Sequence, residues 1–494
     1  MIAFQIFEML KLAALLLFVV ATEAAFSCLN TPLTTATQSA NLPPNEAGPV
    51  LVPKGTNCTY TFNIPNGYAL SVSLSANFQS DQDTVSVIDS LGAIRRLVHT
   101  GSPINGAVIW LSATSARINV VGATGTSTFF AQYTFQPLNT YKQTQNVLTG
   151  NYFALSAIAA ANSYYTISSK KDKVIATVGQ RAGAGTDSVL NNIYVYDGDN
   201  LITAQYIGRL SDLGVSLSRK SSGFALTFVN FYGTRSNSYL LGNDASSVSN
   251  LSKYAVIMTS LGSNINADLT TSSPAAYTFI CTDCSNFYID QLYFDSLRTI
   301  SNLGYAAYSG MSPTHGLEKL INYTAMAYTS SQMPQKIPAS MFTLNLYMSG
   351  ITVMTSSSNV ATRWTTPYDG RKGFIFSPNL WNPSNTNIAY SEQFRNDSQL
   401  YNYQVNLNKL GFKATSDSLR VQVGSGTGTP SLDNTYPKVS SSTGVVSARG
   451  NYMKLDFSGS AGSDVRVSFQ MTIASASSTI GVLASLVITL FYVL

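Results

Sequence analysis

Charge is sparse in this chain. Only 11% of its 494 residues are Asp, Glu, Lys or Arg, and the net charge of +5 is spread without a basic block. That excludes the electrostatic footprint of a nucleic-acid binder. Histidine is scarcer, with His99 and His315 the only two. No H-E-x-x-H and no G-x-S-x-G occurs, and His315 sits in a Pro-Thr-His-Gly loop. A nucleophile–imidazole triad and a histidine-based zinc site are left without material. Acidic residues number 24, and no motif pairs two of them as glycoside hydrolysis requires. Helical periodicity is nearly absent as well, which excludes a helix bundle. The expectation is a protein that is not an enzyme and has no cofactor.

Short runs of Val, Ile, Tyr, Phe and Thr fill the chain, alternating with polar residues and punctuated by Gly, Asn, Asp, Ser and Pro. This predicts strands, with one face in a core and the other in water. Ser-Val-Ser-Leu-Ser at 71–75 and Val-Arg-Val-Ser-Phe-Gln-Met at 465–471 show the period of two. One pattern recurs: a short polar residue opens a strand with alternate apolar positions, and a turn follows. It appears at 83–89, 191–198, 290–296 and 417–424. Those starts lie roughly 100 residues apart, the size of one small sandwich. The expected fold is all-β, a tandem of antiparallel β-sandwiches. The expected units are residues 26–138, 139–260, 261–356 and 357–474.

The two ends read as processing signals. Lys11 precedes an apolar run at 12–20 and small residues ending in Ala24 and Ala25, which predicts a signal peptide at 1–25. Residues 480–494 are mostly apolar with no Lys or Arg after them, and small residues at 474–478 precede the run. This predicts a removed glycolipid-anchor (GPI) signal at 475–494, with Ser475 or Ser477 carrying the lipid and the outer membrane leaflet as the address. Asn-x-Ser/Thr sequons stand at Asn57, Asn250, Asn322 and Asn396, so a secreted chain is expected to be a glycoprotein. Four cysteines predict two disulfides, Cys28 with Cys58 and Cys281 with Cys284. The second pair spells C-T-D-C and is followed by Phe287, Tyr288 and Ile289. A strand there, instead of a helix N-terminus, predicts a local staple and no redox chemistry.

Residues 28–136 carry a more specific pattern. Cys28 is followed by Asn57-Cys-Thr-Tyr-Thr-Phe-Asn-Ile-Pro-Asn-Gly67, a strand at 70–74, Asp83-x-Val-x-Val-x-Asp89, and a closing strand with Phe129, Phe130, Tyr133 and Phe135. This segment resembles the CUB-like domain of secreted nematode proteins. The resemblance implies a jelly-roll-type β-sandwich and an extracellular binding role. It also implies an association with membrane rafts and with innate immune responses to microbes. Many CUB domains hold calcium through a Glu and two Asp, and Asp81, Asp83 and Asp89 are the candidates that the resemblance points to here. The sequence departs from that set, with Asp81 near the place of the Glu and Ser80 in the place of a Cys.

Aromatic residues are plentiful, with Tyr at 28 positions, and most are expected in strands and cores. The stretch 362–383, with two Trp and three Pro, is the segment expected to be exposed between units. The leading expectation is a non-enzymatic surface protein that binds an extracellular protein or glycan. A structural cell-coat or cuticle glycoprotein is the alternative, followed by a secreted carbohydrate-active enzyme.

Overall fold

The computed structural model describes residues 26–474, apart from 182–184, 214–219, 263, 271–272, 295–304, 317, 325–329, 358–360, 387 and 438–442. The expected signal peptide, the anchor signal, Ser475 and Ser477 lie outside the described residues. Strands dominate, in six sheets, and the described helices are single turns such as Leu210–Leu213 and Ala361–Thr365. The fold is all-β, as the alternation predicts.

The first sandwich is one seven-stranded sheet bent into two layers. Thr56–Asn77 pairs antiparallel with Ile104–Gly122 along most of its length. The register breaks between Ile64 and Ala69, where Pro65-Asn-Gly67 turns the strand and Gly67 takes φ +81°. That positive φ suits a residue without a Cβ. Before the bend Cys58, Tyr60, Phe62 and Ile64 point inward, and after it Leu70, Val72 and Leu74 do. Both sets meet in one core.

The middle of the chain is built around an eight-stranded sheet. Its order is Lys319–Thr324, Tyr305–Ser309, Met341–Tyr347, Ala275–Cys281, Lys253–Thr259, Val174–Arg181, Tyr239–Asp244 and Tyr152–Ala154. Residue 260 therefore falls between two neighbours of one sheet, and those neighbours pair in parallel. A five-stranded sheet covers one end of this sheet through Val147, Ile167, Ala176, Val195 and Phe228. A four-stranded sheet covers the other end through Tyr277, Phe279, Ile289, Leu344 and Val353. Most ladders are antiparallel, while Lys142–Leu148 with Ser163–Ser168 and Val174–Arg181 with Lys253–Thr259 are also parallel.

The last sandwich has two four-stranded sheets. Lys372–Phe376, Asp464–Ile473, Tyr401–Gly411 and Gly444–Gly450 form one, and Tyr390–Arg395, Tyr452–Ser458, Ser418–Gly424 and Leu432–Pro437 the other. Val465, Val467, Phe469 and Met471 are buried in turn, so the period of two in the sequence is the period of the core. The recurring polar-opened strand is found as Thr84–Ile88, Ile193–Asp197 and Ser418–Gly424. The third copy differs: its strand begins at Phe287, and Asp290 lies at a register shift inside it.

Candidate functional site

The three candidate calcium ligands are not assembled. Asp81 is exposed, whereas Asp83 and Asp89 are buried. Asp83 accepts hydrogen bonds from the Ala123 N–H at 2.5 Å, the Thr124 N–H at 3.1 Å, the Ser127 hydroxyl at 2.6 Å and the Thr124 hydroxyl. Asp89 accepts from the Leu91 and Ala93 N–H groups and pairs with Arg95 at 2.6 Å. Calcium needs several carboxylate oxygens turned to one point. These oxygens are turned to loops instead, and among the described residues no group of three His, Cys, Asp or Glu is placed to hold a metal ion.

Asp83 belongs to a repeated device that the sequence pattern only half disclosed. Asp417 accepts from the Lys413 and Ala414 N–H groups and from the Ser460 and Ser463 hydroxyls at 2.7 and 2.6 Å. Asp187 accepts from the Val189 N–H and from the Ser236 and Ser238 hydroxyls at 2.5 and 2.8 Å. Burial raises the pKa of each carboxyl. The Ser and Thr hydroxyls and backbone N–H groups outweigh that and hold all three below the ordinary carboxylate value.

Cys28 and Cys58 are joined, as are Cys281 and Cys284, with Cα–Cα distances of 5.5 Å. Asn57, Asn250 and Asn322 are exposed. Asn396 is half-buried, and its amide donates to the Tyr401 hydroxyl at 3.2 Å. The stretch 362–383 does not present its tryptophans. Trp364 and Trp381 are 1% and 0% exposed because each fills a core, Trp364 against Phe394 and Trp381 against Phe376.

Aromatic residues instead weld the first sandwich to the next unit. Trp110 stacks on Phe231 at 4.9 Å, and Tyr141 and Tyr194 meet the same ring edge-on. The Tyr194 hydroxyl donates to the Trp110 carbonyl, and the Trp110 N–H donates to the Tyr232 hydroxyl at 3.0 Å. Arg209 lies over the Tyr194 ring and donates to its hydroxyl at 2.8 Å. Tyr194 and Tyr196 share a strand face, being two residues apart, and Tyr196 bonds Ser112 of the first sandwich.

A cavity of about 400 Å³ lies where the strand Gln335–Ile337 approaches the last sandwich. The Gln335 amide is fully buried and clamps Phe374 from both sides, donating to its carbonyl at 2.8 Å and accepting from its N–H at 2.9 Å. Beside that clamp Lys336 pairs with Glu392, whose other oxygen accepts from the Trp364 indole at 2.9 Å. Ser285, Asn286, Phe374 and Tyr390 also line the space. The Cys281–Cys284 bridge immediately precedes Ser285 and Asn286. Burial, and then the charge of Glu392, push the Tyr390 phenol far above its ordinary value. Across the same junction Arg466 forks onto Glu318 at 2.6 and 2.8 Å.

The sequence reading did not single out this site, though a signal is present. In Tyr390-Ser-Glu-Gln-Phe394 the alternation assigns 390, 392 and 394 to the covered face, and the middle slot holds an acid. A carboxylate in an apolar register needs a partner, and a partner from another unit marks a junction.

The first sandwich also corresponds to a known domain family. Residues 23–139 match the CUB-like domain. No curated protein matches the chain. Among solved structures, the CUB1-EGF-CUB2 domain of human MASP-1/3 is 10% identical, covering 42% of this chain and 98% of that one, with a TM-score of 0.17. The CUB1-EGF-CUB2 domains of rat MASP-1 are 11% identical, with 43% and 99% covered and a TM-score of 0.14. The full extracellular region of zebrafish Gpr126/Adgrg6 is 9% identical, with 68% and 53% covered and a TM-score of 0.19. Likenesses at these TM-scores support no inference about this chain. The CUB-like domain and the disulfides point to an extracellular protein with a binding domain. No helix among the described residues is long and apolar enough to cross a membrane.

Proposed function

We propose that the chain is an extracellular glycoprotein that recognises a protein or glycan and does not transform it. The observation that carries this reading is the cavity beside Gln335–Ile337. Glu392 is the only carboxylate among its described lining residues, and both its oxygens are engaged. Hydrolysis of a glycoside needs a second carboxyl group facing the first. The wall is fixed by the Gln335 clamp on Phe374 and by the Lys336–Glu392 pair, as a preformed binding site requires. We further propose that residues 1–25 are removed, that the anchor signal at 475–494 is cleaved just after Ser475 or Ser477 so that a glycolipid on that serine holds the chain on the outer leaflet, and that Asn57, Asn250, Asn322 and Asn396 carry glycans. The segments 26–138 and 357–474 are then the outer units of one exterior array, and 139–260 and 261–356 share the eight-stranded sheet between them. A role in innate defence against microbes is what the resemblance to nematode CUB-like proteins adds.

Two experiments test these statements. A phosphatidylinositol-specific phospholipase C, applied to intact cells expressing the full chain, is expected to release it into the medium. Retention on treated cells removes the anchor reading. Fluorescently labelled full-length protein is expected to bind fixed host cells or bacteria saturably. Absence of binding to every surface favours the second reading, a structural coat protein, for which the aromatic weld between Trp110 and Phe231 speaks.

A further inference from the structure

We propose that the cavity beside Gln335–Ile337 is a binding site for an uncharged pyranose unit of an extracellular glycan. The inference rests on the recognition reading above and names its ligand. Charge comes first. Lys336 and Glu392 are the only ionised side chains among the described lining residues, and they neutralise each other. An anionic ligand would meet the Glu392 carboxylate and a cationic one the Lys336 ammonium, so neither sign is favoured.

Hydrogen bonding comes next. Glu392 uses one oxygen on Lys336 and one on the Trp364 indole. The ammonium has three donors, of which Glu392 needs one. A carboxylate oxygen retains further lone-pair sites after one bond. Donor and acceptor therefore stand side by side in one wall. Lys336 and Glu392 are 22% and 10% exposed, so water reaches both. A ligand that closes the cavity must replace that water. An apolar side chain from a protein partner would strip it and return nothing, at a cost in desolvation. A sugar hydroxyl both donates and accepts, so neighbouring hydroxyls of one ring match the pair.

The remaining wall completes the match. Phe374, Ile375, Phe376 and Tyr390 provide an apolar surface for the C–H face of a pyranose. The volume of about 400 Å³ lies in the range of small-ligand sites and is too small for a folded partner. Asn286 and Ser285 stand at the rim, their side chains joined at 3.1 Å and their backbone fixed by the Cys281–Cys284 bridge next to them. A ring held there would be bound without being cleaved, since no second carboxylate among the described lining residues faces it.

The test uses purified full-length protein and four neutral probes: methyl α-D-mannopyranoside, methyl β-D-glucopyranoside, methyl β-D-galactopyranoside and N-acetyl-D-glucosamine. N-acetylneuraminic acid serves as the anionic comparison. Saturation-transfer NMR and calorimetry are expected to show binding of at least one neutral probe and none of the acid. Ala389 is exposed and lines the cavity, so Ala389→Trp is expected to block it and weaken binding at least tenfold with an unchanged melting midpoint. Lys336→Met is expected to weaken binding as well, with a lower melting midpoint because Glu392 loses its partner. If that variant loses its fold, the Ala389→Trp result decides alone. Silence from all four neutral probes overturns the proposal, as does binding that survives Ala389→Trp or an acid that binds as well as the neutral sugars. Saturable binding to cells that Ala389→Trp leaves intact would overturn this site while sparing the broader recognition reading.

Discussion

Asp83→Ala will unfold the loop that closes the CUB-like domain and cost it about 3 kcal/mol, the sum expected when hydrogen bonds to a buried charge are lost and their donors left unpaired. Asp83 is fully buried and serves four donors, the N–H groups of Ala123 and Thr124 and the hydroxyls of Thr124 and Ser127. Ser127 is itself buried and also accepts from the Gln79 N–H at 3.0 Å. Removing the carboxylate therefore releases both loops at that end of the sandwich. Hydrogen-exchange mass spectrometry is expected to show lost protection at 79–84 and 122–128, while 401–411 stays as in the parent. Unchanged exchange in those segments would falsify the account.

The same carboxylate predicts the acid limit of the protein. Asp83, Asp187 and Asp417 all lie below the ordinary value of 3.8 when folded. A lowered folded pKa means that the unfolded chain takes up protons first as the pH falls. The contribution to stability is then complete above about pH 4 and is lost below it, as the pH approaches each folded pKa. The contribution of these three carboxyls to the melting midpoint should be constant near neutrality and fall below about pH 4, and Asp417→Asn should remove part of that fall.

Trp110→Ala should uncouple the CUB-like domain from the unit that follows, weakening their contact by about 3 kcal/mol, as expected for deleting a large aromatic side chain from a packed site. Phe231 would lose its stacked partner, and the half-buried rings of Tyr141 and Tyr232 would face water. The Tyr194 and Tyr232 hydroxyls bond the backbone of Trp110 and not its side chain, so those two contacts survive and the unit still folds. Calorimetry should then resolve a separate transition for the CUB-like domain, and small-angle scattering should give a larger radius of gyration than the parent. A single transition with an unchanged radius would show that the Tyr196–Ser112 bond and the Arg95–Asp212 pair suffice to hold the joint.

Local pattern carried the strands a long way. Val72 and Leu74, and later Val465, Val467 and Phe469, are read as inward from alternation alone and are inward in the fold. The first polar-opened strand and the fourth share more than their look, since Asp83 and Asp417 each tie a strand start to serine or threonine hydroxyls across a loop. The tryptophans were the plainest miss. Trp364 lies in a stretch rich in proline and polar residues, yet its indole is drawn into the core because Glu392 accepts its N–H at 2.9 Å.

Alternation of side chains fixes which face of a strand is covered, and the amino-acid order alone therefore determined that this protein is built of strands with dry and wet faces. It also determined the cysteine pairs, each close along the chain or set at the start of a strand. Which strand lies beside which was decided only in three dimensions. Every strand offers the same backbone N–H and C=O groups, so nothing local told Lys253–Thr259 to run parallel to Ala275–Cys281 across residue 260. The cavity arose the same way. Lys336 and Glu392 stand 56 residues apart, and only the docking of two sheets made them neighbours.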